Sequence, residues 1–209
     1  GAGTGNFSEY LLQAGVRHLL TFEPSNNMYP LLEERFRNNS LVETRNAYFD
    51  SHDFHNTFDS MLYVNVLEHI KDDREAMRHA HAALKPGGHV LIFVPALSFL
   101  YSELDRKVGH FRRYARRELV DVVGSAGFLI KKAQYFDIAG IIPWYIAFVL
   151  CKQTTTAANV SLYDRLIVPI MRRVERIIPP FTGKNLVLVG QKNSRSDDVD
   201  IAEKQAKQK

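Results

Sequence analysis

The chain opens Gly1-Ala2-Gly3-Thr4-Gly5-Asn6-Phe7 and runs on through Ser8-Glu9-Tyr10-Leu11-Leu12. Three glycines at alternate positions, followed by an amphipathic stretch, read as a tight turn feeding a helix. Without Cβ atoms, such a turn lets backbone amides approach a ligand closely while the helix offers its positive end. A small polar cofactor fits there. A turn of this kind normally follows a strand, and none stands before Gly1, so the reading expects a domain truncated at its N-terminus.

His18-Leu19-Leu20-Thr21-Phe22-Glu23 is a short apolar run ending in an acid eighteen residues beyond Gly5, and reads as a buried strand with a carboxylate at its carboxyl end. Pro24 and Asn26-Asn27 end it. A helix over residues 28–38 and a strand over 41–45 follow, and the alternation then repeats. It gives a strand over 58–65, a helix over 73–84, the turn Lys85-Pro86-Gly87-Gly88, and a strand over 89–94. After a loosened segment at 97–116 come a helix over 117–126, a strand over 128–136, apolar helices within 138–178, and a last strand over 185–190. Pro143 interrupts the first of those apolar helices. Strands alternating with helices predict an α/β fold with a doubly wound, mostly parallel sheet covered on both faces. In such sheets ligands sit beyond the carboxyl ends of the strands, where residues 97–116 would act as a lid.

The 209 residues suit one folded domain, over 1–192. Residues 193–209, charged and free of aromatics, read as a disordered tail. Hydrophobic residues at 45% and charged residues at 24% are ordinary for globular proteins. A single cysteine, Cys151, excludes an intramolecular disulfide and a multi-thiolate zinc site, and points to a reducing, cytoplasmic setting. The net charge of +4 permits an anionic partner or membrane surface without requiring one.

Taken in register, these pieces resemble the class I S-adenosylmethionine-dependent methyltransferases over residues 1 to about 192. Four motifs carry the resemblance: Gly1-Ala2-Gly3-Thr4-Gly5, Glu23, the strand and turn from Phe58 to His69, and Leu84-Lys85-Pro86-Gly87-Gly88. The chain is closer still to a bacterial subgroup associated with cell-envelope sugar or lipid pathways. That subgroup shares a segment like Leu104-Asp105-Arg106-Lys107-Val108-Gly109-His110-Phe111-Arg112-Arg113-Tyr114. The family's first strand, with its acid before the first glycine, is missing here. The resemblance implies a Rossmann-like methyltransferase fold, S-adenosylmethionine as cofactor, and a cofactor loop at Gly1, Ala2, Gly3 and Gly5. Glu23 would bind the ribose hydroxyls beside Pro24, Asn46 and Ala47 would read the adenine edge, and Asn65 and Val66 would lie beneath the methionine part.

The residue chemistry agrees with these roles. An ionised Glu23 offers two acceptor oxygens to vicinal hydroxyls, and an amide such as Asn46 can donate to and accept from a purine. Glu68 reads either as a neighbour of the transferred methyl or as a helix-capping acid. His69 is a candidate general base, beside the structural reading of a lone histidine. Asp105, His110 and Tyr114, with Arg112 and Arg113, could grip an anionic acceptor, or could form a basic solvated loop. Metal is not expected: His52, Asp53 and His55, like His79 and His81, lack a convincing third ligand.

A nicotinamide dehydrogenase is disfavoured because the dinucleotide fingerprint wants glycine where Asn6 stands. The alternative to an enzyme is a membrane-surface or scaffold module, suggested by the apolar run with Trp144 and Tyr145 and by the arginine-rich helix that follows. Combined with catalysis, the same elements would bring a small-molecule, sugar or lipid-linked acceptor through peripheral membrane contact. Nucleic acid is disfavoured, since no recognised RNA-binding module is present. Oligomeric state and the acceptor atom stay open.

Overall fold

The computed structural model describes residues 1–152, 173 and 180–194. The chain divides into two compact units, Gly1–Asp50 and Ser51–Lys209, and the strands group into a two-stranded and a four-stranded sheet.

In the first unit α1 (Asn6–Gln13), β1 (Leu19–Phe22), α2 (Tyr29–Phe36) and β2 (Val42–Arg45) follow in order. β1 and β2 pair in parallel, from Leu19 opposite Val42 to Phe22 opposite Arg45. Parallel neighbours need a crossover, and α2 supplies it. Pro30 lies in the first turn of α2, where its missing N–H would find no helical partner anyway. The helix buries Leu32 and Phe36. Gly5 caps α1 in the left-handed region, at φ 88°. A Cβ there would stand 2.6 Å from the Phe36 ring and 3.0 Å from Leu32 Cδ1. Backbone conformation and the packing of α2 therefore both demand glycine at position 5.

The second unit contains β3 (Phe58–Val64), a 3-10 turn at Leu67–His69, α3 (Asp73–Ala83) and β4 (Leu84–Pro95). After a second 3-10 turn at Ser98–Leu100 come α4 (Glu103–Lys107), α5 (Arg116–Ser125), β5 (Phe128–Phe136), α6 (Ile141–Trp144) and β6 (Asn185–Lys192). The strand order is β3-β4-β6-β5. β3 and β4 are parallel, while β6 runs antiparallel to both of its neighbours. The sheet is therefore mixed, within the Rossmann-like α/β class expected from the alternation. Val90, Ile92 and Val94 recur at the period of two that a strand imposes. They form one core with Leu186 and Leu188 of β6, Met77 and Ala80 of α3, and Leu119 and Val123 of α5.

Two elements differ from the sequence reading. β4 begins at Leu84, and Lys85-Pro86-Gly87-Gly88 is a bulge within it: Phe58 pairs Leu84 while Ser60 already pairs His89. Pro86 cannot donate to the ladder, so the extra residues are looped out without ending the strand. Pro143 does not interrupt its helix but occupies the first turn of α6, which continues as a π-helical run at Tyr145–Leu150. The helix expected toward 178 and most of the tail expected from 193 lie outside the described residues.

Candidate functional site

The glycine loop is fastened to β1. Ala2 N–H donates to Phe22 O at 2.9 Å, and Gly5 N–H to Ala2 O at 3.1 Å. Glu23, just past the end of β1, is 4% exposed. Its Oε2 accepts from Gly3 N–H at 2.7 Å and its Oε1 from Ser25 N–H at 2.9 Å. Each oxygen keeps a further lone pair, so the carboxylate can hold the loop and still accept from a ligand. Asn46 donates its side-chain amide to Glu23 O at 2.8 Å, and Glu23 N–H donates to Arg45 O at 3.0 Å, which sets the ends of β1 and β2 level. Asn46 thus has a structural bond that its spacing did not reveal. Ala47 is exposed next to it and Pro24 is half-buried.

In the second unit β3 ends at Val64, and Asn65 adopts φ 52° while its N–H donates to Phe93 O at 2.8 Å. That turn leads through Val66 into Leu67–His69. Glu68 is fully buried, and neither carboxylate oxygen has a hydrogen-bond partner among the described residues. Burial pushes its pKa up to about 7, while its own backbone amide and the charges of His110 and Arg113 pull it back only partway. Glu68 is not a cap, because α3 is capped by Asp72, which accepts from Glu75 N–H at 2.9 Å.

The segment read as a lid folds back onto this turn. Phe111 N–H donates to Glu68 O at 2.8 Å, and His69 Nδ1 lies 3.2 Å from Gly109 O. Its hub is Asp105, third residue of α4 and partner of Ser102 in a capping box. Asp105 Oδ2 accepts from Ser102 N–H and Oγ–H, both at 2.9 Å. Arg113 grips both its oxygens, through Nε at 2.9 Å and a terminal nitrogen at 3.1 Å. Burial alone would raise the Asp105 pKa, but the bonds from His110, Arg113 and Ser102 outweigh it and hold the value at about 2. Asp105 is therefore ionised near neutrality, and His110 Nδ1, 2.9 Å from Oδ1, must be the donor. The other ring nitrogen, Nε2, lies 3.9 Å from Glu68 Oε1.

Tyr114 is buried, and its hydroxyl donates to Asp73 Oδ2 at 2.8 Å. Burial, then the bond to Asp73, raises the phenol well above its ordinary range. Arg112 joins Asp73 at 2.6 Å and Lys71 O at 2.6 Å. The solvated basic loop allowed by the sequence is thus a set of internal ion pairs. Arg113 also lies 4.7 Å from the Trp144 ring centre, and the Trp144 indole N–H donates to Leu100 O at 3.1 Å. The structure brings His69, His110 and Asp105 together with Glu68 and places Tyr114 behind them against Asp73. Glu68 next to His69 in an apolar setting was the available signal for the buried acid. The partnership of Asp73 with Arg112 and Tyr114 had none.

A family model described as a methyltransferase domain matches residues 1–146. The fold is similar to an S-adenosylmethionine-dependent methyltransferase of Mesorhizobium loti at TM-score 0.62 and 16% identity, covering 92% of this chain and 88% of that one. A second similar structure is an S-adenosylmethionine-dependent methyltransferase of Methanosarcina mazei, at TM-score 0.58 and 15% identity, covering 93% and 91%. The [4+2]-cyclase SpnF is similar too, at TM-score 0.60 and 17% identity, covering 93% and 74%. At these identities the structural likeness establishes the fold alone. No match was found among curated proteins.

The chain belongs to the methyltransferase-domain family, and S-adenosylmethionine is its cofactor. The first unit fits that molecule. At Gly3, with φ 58°, a Cβ would meet no atom within 4 Å among the described residues, so the loop is open to a ligand there. Beside it stands a buried carboxylate with lone pairs to spare.

Proposed function

We propose that this chain transfers the methyl group of S-adenosylmethionine to a small-molecule, sugar or lipid-linked acceptor. The observation that carries the reading is the Gly3 loop closed onto Glu23 in a chain of this family. Bound S-adenosylmethionine supplies an activated methyl on a sulfonium. What remains for the protein is alignment, exclusion of water and handling of the acceptor's proton. Gly1, Ala2, Gly3 and Gly5 present the loop, Glu23 accepts from the ribose with Pro24 beside it, Asn46 and Ala47 meet the adenine, and Asn65 and Val66 serve the methionine part. His69 and His110 handle the acceptor. Asp105 and Tyr114, buried and committed to Arg113 and Asp73, are positioning residues in this reading.

The test is calorimetric titration of the full chain with S-adenosylmethionine and S-adenosylhomocysteine, followed by transfer of labelled methyl to envelope sugars and lipids. Saturable binding that weakens tenfold or more in Glu23→Ala supports the reading. A folded protein that binds neither molecule overturns it.

One feature favours a second reading, a membrane-surface module. Ile142, Ile146 and Leu150 recur every four residues, and all three are exposed. No helix among the described residues is long and apolar enough to cross a membrane. That exposed apolar face supports contact with a membrane surface, either as a non-catalytic module or in the service of a lipid-linked acceptor.

A further inference from the structure

Glu68, His69 and His110 each offer one ligand atom, and the three atoms lie within 4.8 Å of one another. His69 and His110 are 41 positions apart, so no motif spacing announces the set. We propose that these three side chains bind a divalent first-row transition cation.

Three observations carry it. First, Glu68 is 0% exposed and neither of its oxygens has a hydrogen-bond partner among the described residues. A buried carboxylate in that condition is costly unless a cation or donor meets it. Second, Asp105 fixes the His110 tautomer by accepting from Nδ1–H at 2.9 Å, so in the neutral ring Nε2 is the bare nitrogen, 3.9 Å from Glu68 Oε1. A carboxylate behind a histidine whose other nitrogen faces the ion is the usual support of a metal ligand. Asp105 is itself immobilised by Arg113 and Ser102, so the support is rigid. Third, the two elements that supply the ligands are clamped by Phe111 N–H to Glu68 O at 2.8 Å, and the imidazole rings stand edge to face at 4.6 Å.

Two imidazoles and one carboxylate suit zinc, cobalt, manganese or iron better than calcium or magnesium, which take mostly oxygen ligands. Ligand atoms around such an ion, each about 2.0–2.2 Å from it, lie about 3 Å apart. Closing the set from separations of up to 4.8 Å, with Glu68 Oε1 and His110 Nε2 already at 3.9 Å, asks for side-chain rotations while the backbone clamp holds. The proposal uses residues that the methyl-transfer reading assigns to the acceptor, but does not depend on it. A cation held there would occupy the ring nitrogens that the methyl-transfer reading gives to the acceptor, and would polarise an acceptor oxygen in their place.

The test is titration of the chelator-treated full chain with Co²⁺, followed by visible absorption and calorimetry, with no S-adenosylmethionine present. One equivalent should bind, with d–d bands of a site containing nitrogen ligands. Glu68→Gln, His69→Ala and His110→Ala should each weaken binding at least tenfold, while His79→Ala leaves it unchanged. Ring resonances of His69 and His110 in the unmodified protein should shift or broaden with one equivalent, a readout that needs no variant to fold. No saturable binding, or binding that leaves those resonances unmoved, overturns the proposal without touching cofactor binding. Conversely, a protein that binds Co²⁺ but not S-adenosylmethionine keeps the cation site and loses the methyl-transfer reading.

Discussion

A carboxylate that holds two backbone amides cannot be replaced by its amide without conflict. Glu23 accepts from Gly3 N–H and Ser25 N–H through different oxygens. Glu23→Gln keeps the size but turns one acceptor into a donor facing an N–H, so either the loop or the following turn must let go. S-adenosylmethionine affinity should fall at least tenfold, about 1.4 kcal/mol, read by calorimetry. Tyr114 calls for a different measurement. Its hydroxyl donates to Asp73 in a buried setting, so Tyr114→Phe should cost about 1–2 kcal/mol at pH 7 in denaturant unfolding. Because the folded phenol is held above its ordinary value of 10, this contribution is complete below pH 10 and declines as pH rises beyond it. The gap between Tyr114→Phe and the parent should therefore be narrower at pH 10.5 than at pH 7. Tyr63 is raised in the same direction by burial and adds to the parent's alkaline sensitivity.

Secondary-structure elements show how far local pattern reaches. Leu19–Phe22 and Phe128–Phe136 were legible because a short apolar or alternating run between turn residues has one low-cost conformation. The glycine turn feeding α1 and the buried acid just past β1 were legible because both follow from residue type and short spacing. The bulge at Lys85-Pro86-Gly87-Gly88 was not, since a proline-glycine turn and a bulge share a composition and only pairing with β3 separates them. The cluster around Glu68 was half legible. Asp105 and His110 are five residues apart, but burial of Glu68 and the tie between Asp73 and Tyr114 arise from tertiary contact. Lys192 is similar: it reads as the last residue of the domain, two beyond the expected strand, yet it ends β6 and its ammonium donates to His81 O at 2.7 Å, Leu84 O at 2.9 Å and Asn56 Oδ1 at 3.0 Å. A cation at carbonyls near the end of α3 also meets the negative end of that helix. Lys192→Met keeps the stem and removes all three bonds, so it should destabilise by about 1–2 kcal/mol, seen as a lower midpoint in urea unfolding with an unchanged slope.

At the scale of the whole molecule, charge and exposed apolar surface have to be considered together. The chain carries a net +4, and Ile142, Ile146 and Leu150 lie in the open on one side of a helical run. Trp144, which the sequence made a natural interfacial anchor, has its indole N–H on Leu100 O and its ring against Arg113, so the three aliphatic side chains would have to carry the insertion. Electrostatic attraction to an anionic surface reaches about 30 Å at 0.01 M salt but only about 3 Å at 1 M, whereas apolar insertion is not screened. If lipid-linked acceptors are the substrates, the protein should co-sediment with vesicles containing anionic lipid at low salt and be retained only in part at high salt. Ile146→Asp should abolish the salt-resistant fraction while leaving S-adenosylmethionine binding unchanged, because this side chain is half exposed and remote in sequence from the glycine loop. Binding released completely by salt would leave charge as the sole attraction and make those aliphatic side chains irrelevant to it. No sedimentation at either ionic strength would remove the lipid surface altogether and direct the acceptor search to soluble sugars and small molecules.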